Sequence, residues 1–246
     1  VVDRFGQIAP KVLFTADAYP YGGKRHDCLE KIRGVLAQIP AIERLVVVPY
    51  SGAPLALDGI PNAVSLPDFM GETDHALQFE PTPFDHPLYI MYSSGTTGVP
   101  KCIVHGAGGT LLQHLKELVL HTDLKREDKI FYYTTCGWMM WNWLVSSLAV
   151  GATVVLYDGS PFHPDGNRLW DLVDELGISV FGTSAKWIAA VDKAGIKPRQ
   201  THKLLSLKTI LSTGSPLAPE SYDYVYREVK ERVLLASISG GTDIIS

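Results

Sequence analysis

Cysteine is scarce. The 246 residues include three, Cys28, Cys102 and Cys136, far apart and in no CxxC pair, which excludes a disulfide framework and a structural zinc site and predicts buried, reduced thiols. The histidines show no HxxxH or His/Cys spacing of a zinc centre either. No apolar run approaches the roughly 20 residues of a membrane span. The start, Val1-Val2-Asp3-Arg4-Phe5, has no basic region followed by a long apolar stretch. Charge of one sign is also missing: 22 basic against 26 acidic residues give a net charge of -4, too little to gather nucleic acid or anionic lipid over a broad surface. These absences leave a cytosolic enzyme as the reading, with any phosphate site confined to a local feature. The first residue is not Met and Ser246 follows Asp243-Ile244-Ile245 without a polar tail, so the chain is read as a piece of something longer.

What is present is a composition that buries a sizeable core, 46% hydrophobic and 20% charged. Residues 11–15 read as a strand, 25–38 as a helix through Leu29, Ile32, Val35 and Leu36, and 45–48 as a second strand. Residues 51–87, rich in Pro, Asp and Gly, read as an irregular connector, with a boundary near residue 88. Beyond it, strands are predicted at 88–91, 129–133, 153–157, 179–181, 209–211 and 233–238. Helices fill the intervals: Leu111, Leu112, Leu115, Leu118 and Val119 share one face, and Trp170, Val173 and Leu176 repeat at helical spacing, as do Trp187, Ile188 and Val191, then Tyr222, Val225 and Val229. The alternation predicts an α/β fold with mostly parallel sheets covered by helices on both faces, in two portions, 1–88 and 89–246. In such sheets ligands bind beyond the carboxyl ends of the strands.

Three polar or Gly-rich stretches each follow a predicted strand. The first, Tyr92-Ser93-Ser94-Gly95-Thr96-Thr97-Gly98-Val99-Pro100-Lys101, offers hydroxyls and backbone amides to phosphate oxygens, glycines for close approach and a mobile positive charge. It lacks the GxxxxGK[ST] pattern, and on composition alone it reads equally as a turn. The second, Ser212-Thr213-Gly214-Ser215-Pro216-Leu217, taken alone is a strand-to-helix turn with capping hydroxyls before a helix that begins near Ala218. The third is Ser237-Ile238-Ser239-Gly240-Gly241-Thr242-Asp243. Between them lies Gly137-Trp138-Met139-Met140-Trp141-Asn142-Trp143, in which Trp141 and Trp143 read as core aromatics at a helix start.

The first string resembles the signature of the adenylate-forming enzymes, the superfamily of acyl-CoA synthetases, luciferases and peptide-synthetase adenylation domains. That resemblance implies the large amino-terminal domain of such an enzyme. It also implies ATP-dependent activation of a carboxylate as an acyl-adenylate, followed by transfer to coenzyme A. It assigns the β- and γ-phosphates of ATP to Ser93, Ser94, Gly95, Thr96, Thr97, Gly98 and Lys101, and the adenine to Gly214, Ser215 and Pro216. ATP contacts also fall on Ser237, Ile238, Ser239, Gly240, Gly241 and Thr242, with Thr242 on the α-phosphate. Asp243 stands where the signature more often has Glu and is the expected magnesium ligand, one methylene shorter. Lys101, Thr242 and Asp243 are thus the catalytic candidates. Trp138, Met139, Met140, Thr213 and Gly240 are the acyl-site candidates.

Further segments narrow the resemblance to the acetoacetyl-CoA synthetase branch: Phe5-Gly6-Gln7-Ile8-Ala9-Pro10-Lys11-Val12-Leu13-Phe14, His105-Gly106-Ala107-Gly108-Gly109-Thr110 and Leu156-Tyr157-Asp158-Gly159-Ser160-Pro161. Acetyl-CoA synthetases resemble the chain but carry Trp near Gly240, so the glycine implies room for a longer acid. The implied partners are small molecules, acetoacetate, ATP and coenzyme A, with no nucleic acid and no membrane insertion. A carboxylate nucleophile is already ionised at neutral pH and leaves no proton for a general base, so His105 is read as a packing or hydrogen-bonding residue at a helix start. The family's smaller carboxyl-terminal lid, its lysine and the ribose-binding Asp segment are expected beyond Ser246. Two other readings stay open: an adenylating enzyme for another short-chain acid or a carrier protein, and a nucleotide-binding piece without turnover.

Overall fold

The structure is a computed structural model that describes residues 1–72, 76–93 and 98–246. Chain contacts divide it into two compact units, Val1–Pro83 with Tyr92–Cys102, and Phe84–Met91 with Ile103–Ser246.

The first unit opens on a short helix, α1 (Val2–Phe5), followed by β1 (Val12–Ala16), β2 (Ala18–Tyr21), β3 (Lys24–Asp27), α2 (Leu29–Gln38), β4 (Arg44–Val48), β5 (Ala63–Ser65) and α3 (Leu66–Met70). Strands β1, β4 and β5 form a parallel sheet in that order. Leu13, Leu45 and Val47 pack against Ile32, Val35 and Ile39 of the α2 region. The helix expected from residue 25 starts at Leu29 instead. Residues 24–27 are claimed by an antiparallel hairpin with β2, whose two-residue turn Gly22-Gly23 has φ 57° and 76°, the doubly left-handed turn that favours a tight hairpin. The connector expected over 51–87 is likewise interrupted by β5 and α3, the latter capped by the Ser65 hydroxyl, which accepts from the Asp68 amide. Where β1 and β4 end, the buried Asp17 carboxylate accepts from the amides of Tyr50 and Ser51 at 2.8 and 3.0 Å and from the Ser51 hydroxyl. Burial alone would raise its pKa, but these donors hold it at about 2.

Strands β6 (Pro87–Ser93) and β7 (Lys101–Gly106) form a two-stranded sheet, and α4 (Ala107–Leu115) follows and runs on as a wider π turn, Lys116–His121. Then come β8 (Lys129–Tyr132), α5 (Met139–Ser146), β9 (Thr153–Val155), α6 (Arg168–Leu176), β10 (Val180–Ser184), α7 (Ala185–Lys193), α8 (Pro198–Thr201), β11 (Thr209–Thr213), α9 (Pro219–Tyr224) and β12 (Leu234–Ser237). Five of these strands make one sheet in the order β12-β11-β10-β8-β9, with every pairing parallel. Side chains alternate across it. Phe131, Phe181, Ile210 and Leu235 face α6, α7 and α9, packing with Trp170, Trp187 and Tyr224. Ile130, Tyr132, Val180 and Leu211 face the other way onto Met140, Trp143, Leu144 and Leu118. Both faces are therefore covered by helices, as a buried parallel sheet requires.

Two further expectations are corrected. Cys102 and Cys136 are exposed and Cys28 is half-buried, so the thiols are free but not core residues. Of the expected helical face, Leu118 is buried as predicted, whereas Leu111, Leu112 and Val119 are exposed and Thr110 and His114 are buried in their place. The hydrophobicity pattern missed this because the buried side of α4 is partly polar, with His114 meeting the Ile245 carbonyl and the Ser146 hydroxyl.

Candidate active site

The carboxyl ends of β8, β11 and β12 supply the three segments that surround one cavity of about 370 Å³. It is lined by Trp138, Met139 and Met140, by Thr213, Gly214, Ser215 and Pro216, and by Ser237 to Thr242 together with Ser246. Signatures separated by as much as a hundred residues thus converge, as expected for a site beyond the strand ends.

Each wall has a local cause. After β8, the Trp138 amide donates to the Thr135 carbonyl at 3.1 Å, closing a turn that leads into α5. The Trp138 ring meets Tyr132 edge-on at 6.0 Å. Met139 and Met140, in the first turn of α5, are buried. After β11 the chain turns at Gly214, φ 91°, and the Leu217 amide donates to the Ser237 hydroxyl at 3.3 Å, tying this turn to the end of β12. Pro219 then opens α9 at the position where a missing N–H costs nothing. The Ile238 amide donates to the Ser212 carbonyl at 2.7 Å, prolonging the β11–β12 ladder by one step into the third signature.

Beyond it, residues 240–246 make a compact turn in which the amides of Ile244 and Ser246 both donate to the Gly241 carbonyl. A Cβ placed on Gly240 would lie 2.3 Å from the Ser246 carbonyl oxygen. The space that glycine leaves is therefore taken up by the turn itself, although Gly240 also lines the cavity. Ile245 and Ser246 are buried.

Not every candidate is gathered here. Thr242 lines the cavity, whereas Asp243 is exposed and lines a second concavity with His105, Thr110 and Lys116. Among the described residues no group of three metal-binding side chains occurs. A lone carboxylate suits a magnesium ion that takes its other ligands from water and phosphates. Ser93, Gly98 and Lys101 belong to the first unit, with Lys101 exposed at the start of β7. Ser94, Gly95, Thr96 and Thr97 lie outside the described residues.

The sequence reading passed over three residues that the structure brings to the turn: His114, Glu117 and Ser246. The Glu117 carboxylate accepts from Gln113 Nε2 at 2.8 Å, from Trp143 Nε1 at 2.9 Å and from the Ser246 hydroxyl at 2.5 Å. Burial pushes the His114 pKa down, against the raising influence of its bond to the Ile245 carbonyl and of Glu117. Polar residues spaced three apart on an otherwise apolar helix were the available signal. His105 forms a hydrogen bond, as expected, to the Thr242 carbonyl at 2.7 Å. It does so from the end of β7 and not from the helix start.

Curated relatives match the whole chain. Acetoacetyl-CoA synthetases of Danio rerio and of Rhizobium meliloti (strain 1021) are each 58% identical to it over 100% of its length. The solved structure of acetoacetyl-CoA synthetase from Streptomyces lividans superposes with a TM-score of 0.91 at 41% identity, again over 100% of the chain. In all three cases the chain spans 38% of the other protein. Residues 2–238, which include the strands β8, β11 and β12 whose ends open onto the cavity, match the family described as AMP-binding enzyme, and the chain belongs to that family.

Proposed function

We propose that the full-length protein is an acid–thiol ligase that activates acetoacetate with ATP as acetoacetyl-adenylate and passes the acyl group to coenzyme A, releasing pyrophosphate and AMP. The observation that carries this reading is the convergence of the adenine turn, Thr242 and the acyl wall on a single cavity. Adenine is assigned to Gly214, Ser215 and Pro216, the α-phosphate to Thr242, and the acyl chain to the corner of Trp138, Met139, Met140 and Thr213. That corner is mainly apolar, with the Thr213 hydroxyl and the Trp138 indole as its polar side-chain groups, which suits a short acid. Acetoacetate is chosen because the relatives of 58% identity bear that name.

In-line attack of the carboxylate on the α-phosphate brings two anions together, so catalysis depends on positive charge and preorganised donors. Lys101 and the segment 93–98 supply these around the leaving pyrophosphate, and Asp243 would hold the magnesium that neutralises part of its charge. The two units of the chain are then portions of a larger amino-terminal domain.

The test is acetoacetate-dependent ATP–pyrophosphate exchange in the full-length protein, followed by detection of acetoacetyl-CoA when coenzyme A is added. Lys101→Ala is expected to slow exchange about 10²- to 10³-fold, the usual loss for one transition-state donor, with little change in acetoacetate KM. Exchange that needs a different acid, or a fully active Lys101→Ala with an unchanged melting transition, would refute the reading.

A further inference from the structure

Among the described residues the turn at 240–246 carries Thr242 yet pairs with no strand, so side chains that reach it from elsewhere add to its own backbone bonds in setting its geometry. Three do, all from one stretch of sequence. His105, at the end of β7, bonds the Thr242 carbonyl at 2.7 Å. His114, fully buried in α4, bonds the Ile245 carbonyl at 2.8 Å. Glu117, one helical turn later, receives the Ser246 hydroxyl at 2.5 Å. A carbonyl oxygen only accepts, so each imidazole must carry its proton on Nε2. For His114 the other nitrogen lies 2.8 Å from the Ser146 hydroxyl, which fixes the ring from behind as a second partner commonly does.

We infer that His105 is a positioning residue for adenylate formation: it holds the Thr242 carbonyl so that the Thr242 side chain faces the cavity, while His114 and Glu117 pin the far end of the same turn. The inference rests on the role proposed above for Thr242. His105 touches no reacting atom in it and moves no proton. A carbonyl held by a rigid ring drifts less, and drift matters because misplacing a transition-state donor by about 1 Å can cost as much as 10²-fold.

The test is a double-mutant cycle in the full-length protein, read as acetoacetate-dependent ATP–pyrophosphate exchange. His105→Leu is expected to lower kcat about tenfold while leaving the acetoacetate KM within about threefold, because the lost interaction acts in the transition state. His105→Gln, whose amide nitrogen can reach the place of the imidazole Nε2, is expected to restore most of that loss. In a Thr242→Ala background, His105→Leu should cost less than about twofold more, since residues acting through one another are not additive. Equal effects of His105→Leu in both backgrounds, or no rescue by Gln, would overturn the inference. If His105→Leu fails to fold, His105→Asn replaces it in the same cycle, its shorter amide falling short of the carbonyl. A parent protein without exchange refutes the proposed function, whereas an active parent with an additive cycle refutes only the positioning role.

Discussion

Gly240 shows how one missing side chain serves two masters. It lines the cavity, and comparison with enzymes that carry Trp nearby suggests that glycine exists to make room for substrate. The turn itself gives a nearer reason: a Cβ at this position would sit 2.3 Å from the Ser246 carbonyl oxygen and 3.0 Å from its hydroxyl. The first atom added collides with main chain, which yields less readily than a flexible side chain. Gly240→Ala should therefore displace the turn that presents Thr242 before it touches an acyl group. Overpacking of this kind costs roughly 1–3 kcal/mol. The expected outcome is a fall in kcat/KM for acetoacetate and acetate together, with their ratio changed less than about threefold, since no methylene-sized contact with the acid is altered. Steady-state kinetics with both acids decide it. A ratio shifted tenfold toward acetate would place residue 240 against the substrate after all.

At the scale of elements, the parallel sheet depends on an equally close approach. Tyr132 and Gly182 are register partners on β8 and β10, and a Cβ on Gly182 would lie 2.1 Å from the Tyr132 ring. The ring lies across the glycine and its hydroxyl donates to the Thr183 carbonyl at 3.2 Å. Burial keeps that hydroxyl protonated far above its usual range. Gly182→Ala must push the ring toward Trp138 and Trp143, which meet it edge-on at 6.0 and 6.1 Å, so a loss of about 1–3 kcal/mol is expected. A denaturant midpoint equal to the parent's would show that the sheet accommodates the methyl. This dependence was invisible in the sequence, where Gly182 is one residue inside an apolar strand. The strands themselves were legible, because β-branched runs such as Leu45-Val46-Val47-Val48 and Thr209-Ile210-Leu211 have no other use than a buried sheet. The turns of the cavity were legible for the complementary reason that Gly, Ser and Pro cluster where strands stop. Which distant groups a polar side chain meets, as His114 and Glu117 meet Ile245 and Ser246, cannot be read from its spacing. These pairings emerged only with the fold.

The molecule as a whole joins segments that sequence order separates. Tyr92–Cys102, the stretch that carries the phosphate signature, is grouped by its contacts with residues 1–83, although the strands on either side of it continue into the other unit. Residues at the beginning of the chain reach this stretch. Phe5 packs against Tyr92 with ring centroids 6.2 Å apart. Gln7 Nε2 donates to the Pro100 carbonyl at 3.0 Å while its Oε1 receives the Cys102 thiol at 3.5 Å. One amide thus grips the residues on both sides of Lys101. Because Gln7 is exposed and each such bond contributes about 0.5–1.5 kcal/mol net, its removal should loosen the signature without unfolding the unit. Gln7→Ala in the full-length protein is expected to raise the KM for ATP about three- to tenfold, the binding equivalent of that energy. The acetoacetate KM should stay within about twofold, since Trp138, Met139 and Met140, proposed above to hold the acyl group, belong to the other unit. Separate ATP and acetoacetate titrations of the exchange reaction, with a melting transition as control, make the measurement. An ATP KM equal to the parent's would mean that the start of the chain does not steady Lys101, and a parallel rise in both KM values would mean that Gln7 acts on the fold at large.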